Sequence, residues 1–376
     1  MDAEIGVIGL GTMGSMALWQ LSRQGASVMG FEQFGIGHDR SAAGGETRIF
    51  RTIDKEDPDS VPLMQEAYKQ WRQLEKDSNH DLLMKTNSLL IGNPSQSIIR
   101  NSMECIEKYD LDYEYLNADE AYKLYPQHSM KHDEVMIVDK KAGALRPEFA
   151  VLSAVKHAEE LGAEIHSHSK VQNIEAGRDS VKVQVDSKKY KFRKVLITTG
   201  PWAAQFIGDD LKQYVTARRL LATWFAPESP NLFKPENFPP FSRNAGDHYF
   251  YGVPSFEGTM VKVSPGTTTN DTINPDNLNK NVDIKDLDEI ISIVNNYLPG
   301  LYPDPVRVNT YMESYTPDGY PIMGFSPQNE NLLIACGFSG QGFKYSPAIG
   351  KVVSEIMLEG KTQYKTDHYS PVRFLK

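Results

Sequence analysis

The chain has 376 residues, 40% of them hydrophobic and 10% aromatic, enough for two domains or one large interleaved globular fold. A formal net charge of −9 argues against a broad basic surface for nucleic acid, and the two cysteines exclude a disulfide framework or thiolate metal cluster. No apolar run approaches the roughly 20 residues of a membrane span, and the first residues already read as a strand, so we expect a soluble cytoplasmic protein without a signal peptide. The nine histidines show no metal-ligand spacing.

A glycine-rich turn separates the first predicted strand, Glu4 to Ile8, from the first predicted helix, Ser15 to Gln24. The turn reads Gly9-Leu10-Gly11-Thr12-Met13-Gly14. Gly9 permits a tight turn, Gly11 lets backbone N–H groups approach a pyrophosphate, and Gly14 lets the helix pack closely on the strand. The helix N-terminus adds a dipole that favours phosphates. This pattern predicts a dinucleotide site.

The second predicted strand, Ser27 to Phe31, ends in Glu32. This carboxylate is placed to accept hydrogen bonds from a ribose diol, and it would repel the 2′-phosphate of NADP. The same glycine turn also resembles the nicotinamide site of the hydroxyisobutyrate dehydrogenase family. The N-terminal region therefore predicts the dinucleotide fold but leaves the cofactor open.

The next part of the chain alternates helices and strands. A polar loop, Gly35 to Gly45, leads into Glu46-Thr47-Arg48-Ile49-Phe50-Arg51. Apolar periodicity predicts helices at Val61 to Glu75 and Ala150 to Gly162, and strands at Met84 to Gly92, Glu134 to Ile137, Glu164 to His166, Val181 to Val185 and Lys189 to Phe192.

A further apolar strand, Lys194 to Thr199, runs into Gly200-Pro201-Trp202. A strand that ends in Thr-Thr-Gly so far downstream is typical of a flavin domain that returns to its own sheet. The hydroxyisobutyrate dehydrogenase alternative does not predict such a strand at this place in the chain.

The middle region changes character after a proline-rich stretch, Pro227 to Pro240. Strands predicted at His248 to Val253, Gly258 to Val263 and Val306 to Glu313 indicate a mostly antiparallel second domain inserted into the first. A helix is predicted between them at Asp283 to Tyr297, with Asp283 as its N-cap.

The C-terminal region returns to the pattern of the N-terminus. A strand at Leu332 to Ala335 precedes a second glycine cluster, Gly337 to Lys344, and a helix at Pro347 to Leu358. A dinucleotide site built by both ends of one chain points to flavin rather than to a dissociable nicotinamide.

We therefore predict a mixed α/β fold, a Rossmann-like FAD-binding domain with an interleaved, mostly antiparallel substrate domain. The FAD-binding domain is predicted at residues 1–80, 145–220 and 318–376. The substrate domain is predicted at residues 81–144 and 221–317.

The ordered set of motifs resembles the monomeric sarcosine oxidase and N-methyltryptophan oxidase family of FAD-dependent amine oxidases along essentially the whole chain. The landmarks are the N-terminal glycine turn, the segment Glu46 to Arg51, the segment Tyr251-Gly252-Val253-Pro254-Ser255-Phe256, Lys262, and the cluster Gly337 to Lys344. The resemblance implies oxidation of an amino acid's C–N bond to an imine, with O2 reduced to hydrogen peroxide. It also implies a monomer.

The resemblance assigns roles to five residues. It implies that Arg51 and Lys344 hold the substrate carboxylate, a plausible clamp of guanidinium and ammonium. It places Tyr251 in the substrate pocket and Arg48 and Lys262 at the faces of the flavin ring. Lys262 matches the lysine that activates oxygen, where a positive charge would stabilise superoxide.

The same resemblance implies a set of cofactor-binding residues. They are Gly9, Gly11, Thr12, Met13, Gly14, Glu32, Ser41, Thr47, Gly200, Gly337, Gly340, Gly342, Phe343 and Lys344.

Simpler interpretations of the charged residues exist. Arg48 and Arg51 would pair with surface acids, Lys262 would be a solvated strand residue, and Tyr251 would belong to the core. The position of the arginines just after the ribose-reading strand favours the site instead.

Three departures from the family pattern stand out. Gly44 and Gly266 take the places of two histidines, which predicts a larger or differently shaped substrate pocket. Tyr311 takes the place of the cysteine that carries the flavin, counted back from Pro317-Asp318. A phenol is a poorer nucleophile than a thiolate, so we predict FAD bound without a covalent bond.

The sequence leaves several functions open. The substrate is sarcosine, N-methyltryptophan, a fructosyl amino acid or another secondary amine. A glycine oxidase or D-amino acid dehydrogenase type shares the flavin domain but lacks this placement of Lys262. A flavoprotein that binds FAD without turnover is a further class, against which the retention of Arg51, Lys262 and Lys344 counts.

Overall fold

The computed structural model describes residues 1–254, 256, 259–266 and 272–375. The α-helices are α1 Thr12–Arg23, α2 Val61–Ser78, α3 Ser97–Tyr109, α4 Ala118–Leu124, α5 Pro147–Glu160, α6 Asp209–Lys212, α7 Asp288–Tyr297 and α8 Ser346–Glu359. The strands are β1 Ala3–Ile8, β2 Val28–Phe31, β3 Arg48–Phe50, β4 Leu83–Lys85, β5 Ser88–Gly92, β6 Tyr113–Asn117, β7 Val135–Asp139, β8 Gly143–Leu145, β9 Glu164–His166, β10 Val171–Ala176, β11 Val181–Val185, β12 Lys188–Ile197, β13 Thr216–Phe225, β14 Phe241–Ala245, β15 His248–Pro254, β16 Val261–Pro265, β17 Arg307–Tyr315, β18 Ile322–Ser326 and β19 Asn329–Cys336.

The first sheet contains both ends of the chain. Its parallel part has the order β9-β2-β1-β12-β19, and β18 and the hairpin of β10 and β11 join it antiparallel. Helix α1 packs against α5 and α8 over one face, and a second apolar cluster around Phe31 and Phe192 covers the other. Burial on both faces explains why β1 and the second half of β12 are apolar runs without alternation.

The second sheet has the order β17-β13-β16-β15-β14-β5-β7-β6. Its neighbouring strands are antiparallel except for the parallel pair of β5 and β14. Aromatic residues of this sheet, with Ile290 and Ile293 of α7, form a separate core. A small third sheet, β3-β8-β4, carries Arg48 at its edge.

The predicted fold class is confirmed: helices cover a mostly parallel sheet, and a second, mostly antiparallel sheet is interleaved with it in sequence. Strands of the first sheet come from residues 3–31, 164–197 and 322–336, and those of the second from residues 88–139 and 216–315. Strand β13 crosses residue 220, where we placed a boundary, and the domain limits themselves stay a prediction.

Some predicted elements were wrong. The single strand at Met84 to Gly92 is two strands in different sheets, because Asn87 adopts a left-handed φ of 65° and breaks it. The runs Lys189 to Phe192 and Lys194 to Thr199 are one strand, β12, whose polar half pairs with β11 and whose apolar half lies inside the parallel sheet.

Other elements differ at their ends or were missed. The helix at Asp283 to Tyr297 begins as a 3-10 turn, Ile284–Leu287, before α7. Gly258 and Ser255 lie outside the described residues, and β16 begins at Val261. The apolar pattern led to no prediction for the helices α3, α4 and α6 or for the strands β3, β6, β8, β10, β13, β14 and β18.

Candidate active site

A cavity lies at the carboxyl end of the first sheet. Several predicted cofactor residues line it: Gly9, Gly11, Thr12, Met13, Glu32, Ser41, Gly200, Gly342 and Phe343. Residues from the turn after β1 and from the second glycine cluster therefore share one cavity, as the pairing of the two clusters predicts. This edge of a parallel sheet is where such folds bind nucleotides.

The glycines of the first turn serve different purposes. Gly9 has a φ of +86°, a left-handed conformation that favours glycine. A Cβ on Gly14 would lie 1.8 Å from the Gly9 carbonyl oxygen, so Gly14 is needed for the close approach of α1. A Cβ on Gly11 would meet only Ser41, at 3.8 Å, so Gly11 keeps the backbone open to the cavity.

The residues of the cavity fit an FAD. The hydroxyl groups of Thr12 and Thr199 line the cavity and are buried with no hydrogen-bond partner among the described residues. Buried hydroxyls of this kind are suited to phosphate oxygens, since an unpaired polar atom is costly. The Glu32 carboxylate accepts from the Leu10 and Phe34 backbone N–H groups, both at 3.0 Å, which fixes it for a ribose diol.

Five predicted cofactor residues are not in the cavity lining. They are Gly14, Thr47, Gly337, Gly340 and Lys344. Gly337 and Gly340 have φ values of +69° and +81° and shape the second glycine turn. The Thr47 hydroxyl is buried and has no hydrogen-bond partner among the described residues.

Arg48 stabilises the loop between β2 and β3. Its guanidinium donates hydrogen bonds to the carbonyl oxygens of Ala42 at 2.5 Å, Gly44 at 2.6 Å and Thr47 at 2.7 Å. Arg48 therefore binds the backbone of its own loop rather than a surface acid. The loop brings it to the edge of the cavity, with its guanidinium 6.0 Å from the centre of the Phe343 ring.

Lys262 is buried in the middle of the second sheet, 3% exposed, and not on a solvated face. Its Nζ donates to the carbonyl oxygens of Gly45 and Thr47, both at 3.3 Å. Burial, together with the nearby Arg48 charge, lowers the pKa of Lys262 well below its ordinary value. Lys262 thus reaches the loop that borders the cavity.

Tyr251 lies on β15, close enough to Arg48 for the two groups to interact electrostatically. It packs against a small apolar cluster containing Ile49 and Val253. Burial raises the pKa of the Tyr251 phenol, which also feels the charges of Arg48 and Glu313. The structure thus brings Tyr251 close to the residues that the resemblance groups with it.

Arg51 is buried, 7% exposed, and makes little use of its donors. Its Nη2 donates to the Ser242 hydroxyl at 3.2 Å, while Nε and Nη1 have no hydrogen-bond partner among the described residues. The backbone just after it is fixed by Asp139, which accepts from the N–H groups of Thr52 and Ile53 at 2.6 and 2.9 Å. A buried guanidinium with free donors is suited to a bidentate carboxylate ligand.

Lys344 lies close enough to Arg51 for the two charges to interact. Burial lowers the pKa of Lys344 to about 8, against the opposing effect of Asp54, and the Arg51 charge lowers it further. The Lys344 Nζ is 3.8 Å from an Asp54 carboxylate oxygen and also donates to Gln341. The backbone of Lys344 is held by the Trp71 indole N–H, which donates to its carbonyl at 2.8 Å.

The structure adds site residues that sequence reasoning missed. Asp54 and Lys55 come three and four residues after Arg51, and burial, Arg51 and Lys344 lower the pKa of Lys55 well below its ordinary value. Glu313 lines the cavity. Glu313 comes two residues after Tyr311 in a predicted strand, so the two side chains lie on the same face of that strand. The sequence alone could therefore have placed Glu313 on the same side as the position that the resemblance assigns to flavin attachment.

Tyrosine rings fill the places left by the two missing histidines. A Cβ on Gly44 would lie 2.5 Å from Cε1 of Tyr311, and a Cβ on Gly266 would lie 1.9 Å from Cδ1 of Tyr249. The two glycines therefore make room for aromatic rings. A larger or differently shaped substrate pocket than in the family stays a prediction.

Within the described part of the chain, no cluster of His, Cys, Asp and Glu is arranged to hold a metal ion. No helix there is long and apolar enough to cross a membrane.

Comparison with known proteins agrees with this geometry. The family described as FAD dependent oxidoreductase matches residues 4–356, so the chain belongs to that family and is an FAD-dependent oxidoreductase. It is 31% identical to the monomeric sarcosine oxidase of Streptomyces avermitilis, over 98% of this chain and 97% of the relative. It is 25% identical to the N-methyl-L-tryptophan oxidase of Yersinia pestis over the full length of both. Among solved structures, NikD, an unusual amino acid oxidase essential for nikkomycin biosynthesis, superposes with a TM-score of 0.85 over 98% of this chain and 97% of NikD at 20% identity.

Proposed function

We propose that this protein oxidises the C–N bond of an N-substituted amino acid such as sarcosine or N-methyltryptophan to an imine, and passes the electrons to O2 to form hydrogen peroxide. Bound FAD would accept the two electrons and a hydrogen from the substrate. The names of the relatives support the reaction class.

The observation that carries the proposal is the buried Arg51 with its unpartnered Nε and Nη1. Among the described residues no carboxylate oxygen lies within 4.0 Å of Arg51, and Lys55 and Lys344 add two further cations to the cluster. The Asp54 carboxylate interacts electrostatically with all three cations and balances one of these charges. Leaving a buried charge unpaired is costly, and a substrate carboxylate would pair it. Lys262 would act on oxygen, because its ammonium is buried beside the cavity where a new negative charge would form.

The proposal is tested by anaerobic mixing of the FAD-loaded enzyme with a panel of amines. Sarcosine, N-methyltryptophan, a fructosyl amino acid, glycine and D-alanine are compared, with N-methylethylamine as the control that lacks a carboxylate. We expect at least one secondary-amine amino acid to bleach the flavin and to yield peroxide in air. If no member of the panel bleaches it, the proposed activity is wrong and a non-catalytic FAD-binding protein is favoured.

We also infer that FAD is held without a covalent bond. Tyr311 is not part of the cavity lining, its hydroxyl accepts from Asn309 Nδ2 at 3.2 Å, and burial raises the pKa of its phenol. Acid precipitation should release yellow FAD into the supernatant. Colour that stays with the pellet, or a denatured mass heavier by one FAD, would contradict this.

The oligomeric state and the cellular location are also proposals. We propose a monomer in the cytoplasm, supported by the name of a relative and by two free, buried cysteines. Light scattering of the FAD-loaded protein measures the first, and cell fractionation the second.

A further inference from the structure

Glu313 is a carboxylate in a cavity that otherwise contains few charges. It lies on β17, opposite Arg218 of β13, and its side chain is on the same face of the strand as Tyr311 and Tyr315. Among the residues that line the cavity, the carboxylates are Glu32 and Glu313. Glu32 is already bound by backbone N–H groups at the ribose end, so Glu313 is the carboxylate without an assigned task.

The Glu313 carboxylate lies against the second glycine cluster. A Cβ on Gly340 would be 3.6 Å from Oε2 of Glu313 and 3.3 Å from the Tyr315 hydroxyl. Among the described residues, Glu313 forms no ion pair within 4.0 Å, although Gly340 donates a backbone hydrogen bond to it. The titratable groups that interact with it electrostatically are Arg48, Tyr251, Lys262, Tyr315 and Tyr345.

Tyr345 connects this carboxylate with the cation cluster around Arg51. It interacts electrostatically with both Asp54, which contacts Lys344, and Glu313. A negative group and a positive cluster therefore flank one residue. An amino acid carries charges of the opposite signs, a carboxylate that would pair with the cations and an ammonium that would pair with Glu313.

The chemistry of amine oxidation needs the nitrogen lone pair. A secondary amine in neutral water is protonated, so a proton must leave before the C–N bond is oxidised. General bases in enzymes contribute about 10²- to 10⁴-fold, and they act best when their pKa lies near the working pH. Removal from bulk water raises the pKa of Glu313 above its ordinary value, although Arg48 and Lys262 oppose the shift.

We propose that Glu313 binds the substrate ammonium and takes its proton, an inference that rests on the proposed amine oxidation. The N–H bond breaks and its electron pair stays on nitrogen, while an O–H bond forms on the Glu313 carboxylate. A cation and an anion become a neutral amine and a neutral carboxylic acid, so charge and protons balance within the site.

The test compares Glu313→Gln with the wild-type enzyme between pH 7 and 10, with Glu330→Gln, an exposed carboxylate on β19, as the matched control. The ratio of wild-type to Glu313→Gln kcat/KM should be about 100 at pH 7 and should shrink towards unity at pH 10, where the free substrate is itself deprotonated. Glu313→Asp should recover part of the loss. A ratio that stays constant with pH would overturn the proposal.

A second measurement uses the wild-type enzyme and does not depend on the variant folding. N,N-dimethylglycine is titrated into the FAD-loaded protein at pH 8 in buffers of different ionisation enthalpy. Retention of the proton by Glu313 gives almost no net proton release, whereas release of one proton per ligand would contradict the role.

The failure of this role and the failure of the proposed function give different results. If no amino acid bleaches the flavin, the oxidase function itself fails. If oxidation occurs but the ratio is flat, only the role of Glu313 fails.

Discussion

Two buried arginines differ in their partners: Arg243 belongs to β14, and Arg51 contacts Ser242 of the same strand. Arg243 is 0% exposed and donates to the Glu134 carboxylate, with Nε at 3.2 Å, and to the Ser129 carbonyl at 2.7 Å. Arg51 is 7% exposed and contacts the hydroxyl of the neighbouring Ser242. The fold pairs the first charge directly with a carboxylate, whereas among the described residues no carboxylate oxygen lies within 4.0 Å of the Arg51 guanidinium, although Asp54 interacts with it electrostatically. Burial alone thus does not distinguish the two arginines, and the missing direct partner is the difference on which the proposed role of Arg51 rests.

The largest expected effect is on the structural arginine. Glu134→Gln leaves Arg243 buried without its countercharge, which should cost about 3–5 kcal/mol in the free energy of unfolding. Chemical denaturation of the FAD-loaded protein measures it. The double variant Glu134→Leu with Arg243→Met removes both charges and should recover much of the loss. Equal stability of Glu134→Gln and wild type would remove the contrast with Arg51.

Lys262 is a third buried cation and extends the comparison to oxygen chemistry. Lys262→Met should slow flavin reoxidation by about 10²- to 10³-fold while flavin reduction changes little, because the charge is needed where oxygen becomes negative. Stopped-flow kinetics of each half-reaction separate the two. The melting temperature should not fall, because the substitution removes a buried amine that forms no ion pair within 4.0 Å among the described residues. Equal slowing of both half-reactions would refute this role.

Arg51→Met tests the unpartnered arginine directly. Loss of its charge-assisted hydrogen bonds should weaken substrate binding by about 2–3 kcal/mol, seen as a KM raised roughly 30- to 150-fold. The free energy of unfolding should stay the same or increase, opposite to Glu134→Gln. A KM that is unchanged for every active substrate, in Arg51→Met and in Lys344→Ala, would show that these cations do not hold the carboxylate.

The smallest expected effect is a pH dependence from Lys344. Because its pKa in the folded protein is about 8, the ammonium loses its proton as the pH rises through that value. KM should then increase by about tenfold between pH 7 and 9. Lys344→Arg keeps its charge, so its KM should stay flat, and an identical rise in that variant would assign the effect to another group. Unfolding restores the ordinary, higher pKa, so the free energy of unfolding should also rise with pH above 8.

The parts of the fold that could be predicted from the sequence are those that short local motifs determine. The glycine turn after β1, the acidic end of β2 and the second cluster are short motifs whose geometry depends on neighbouring residues, and the cavity unites them as expected. Strand β13 was missed because its pairing with β16 and β17 buries it irregularly, without clean alternation. Strand breaks such as Asn87 depend on backbone conformation that the apolar pattern does not show.

The candidate site residues that belong to short motifs could be predicted from the sequence, but their contacts could not. Arg51 and Lys344 follow from motif matching, but their partners do not, since Asp54 and Ser242 approach them only through the fold. The packing of Tyr249 on Gly266 joins β15 to the residue just after β16. Such contacts between strands carry no signal in one sequence.

The packing of Tyr311 on Gly44 makes these two positions interdependent. A histidine at residue 44 would collide with the ring of Tyr311, whereas a cysteine at residue 311 would leave a hole above Gly44. Either exchange alone therefore disturbs the packing at the other position. An engineer who wants the family's histidine and cysteine at these two positions has to change both residues together.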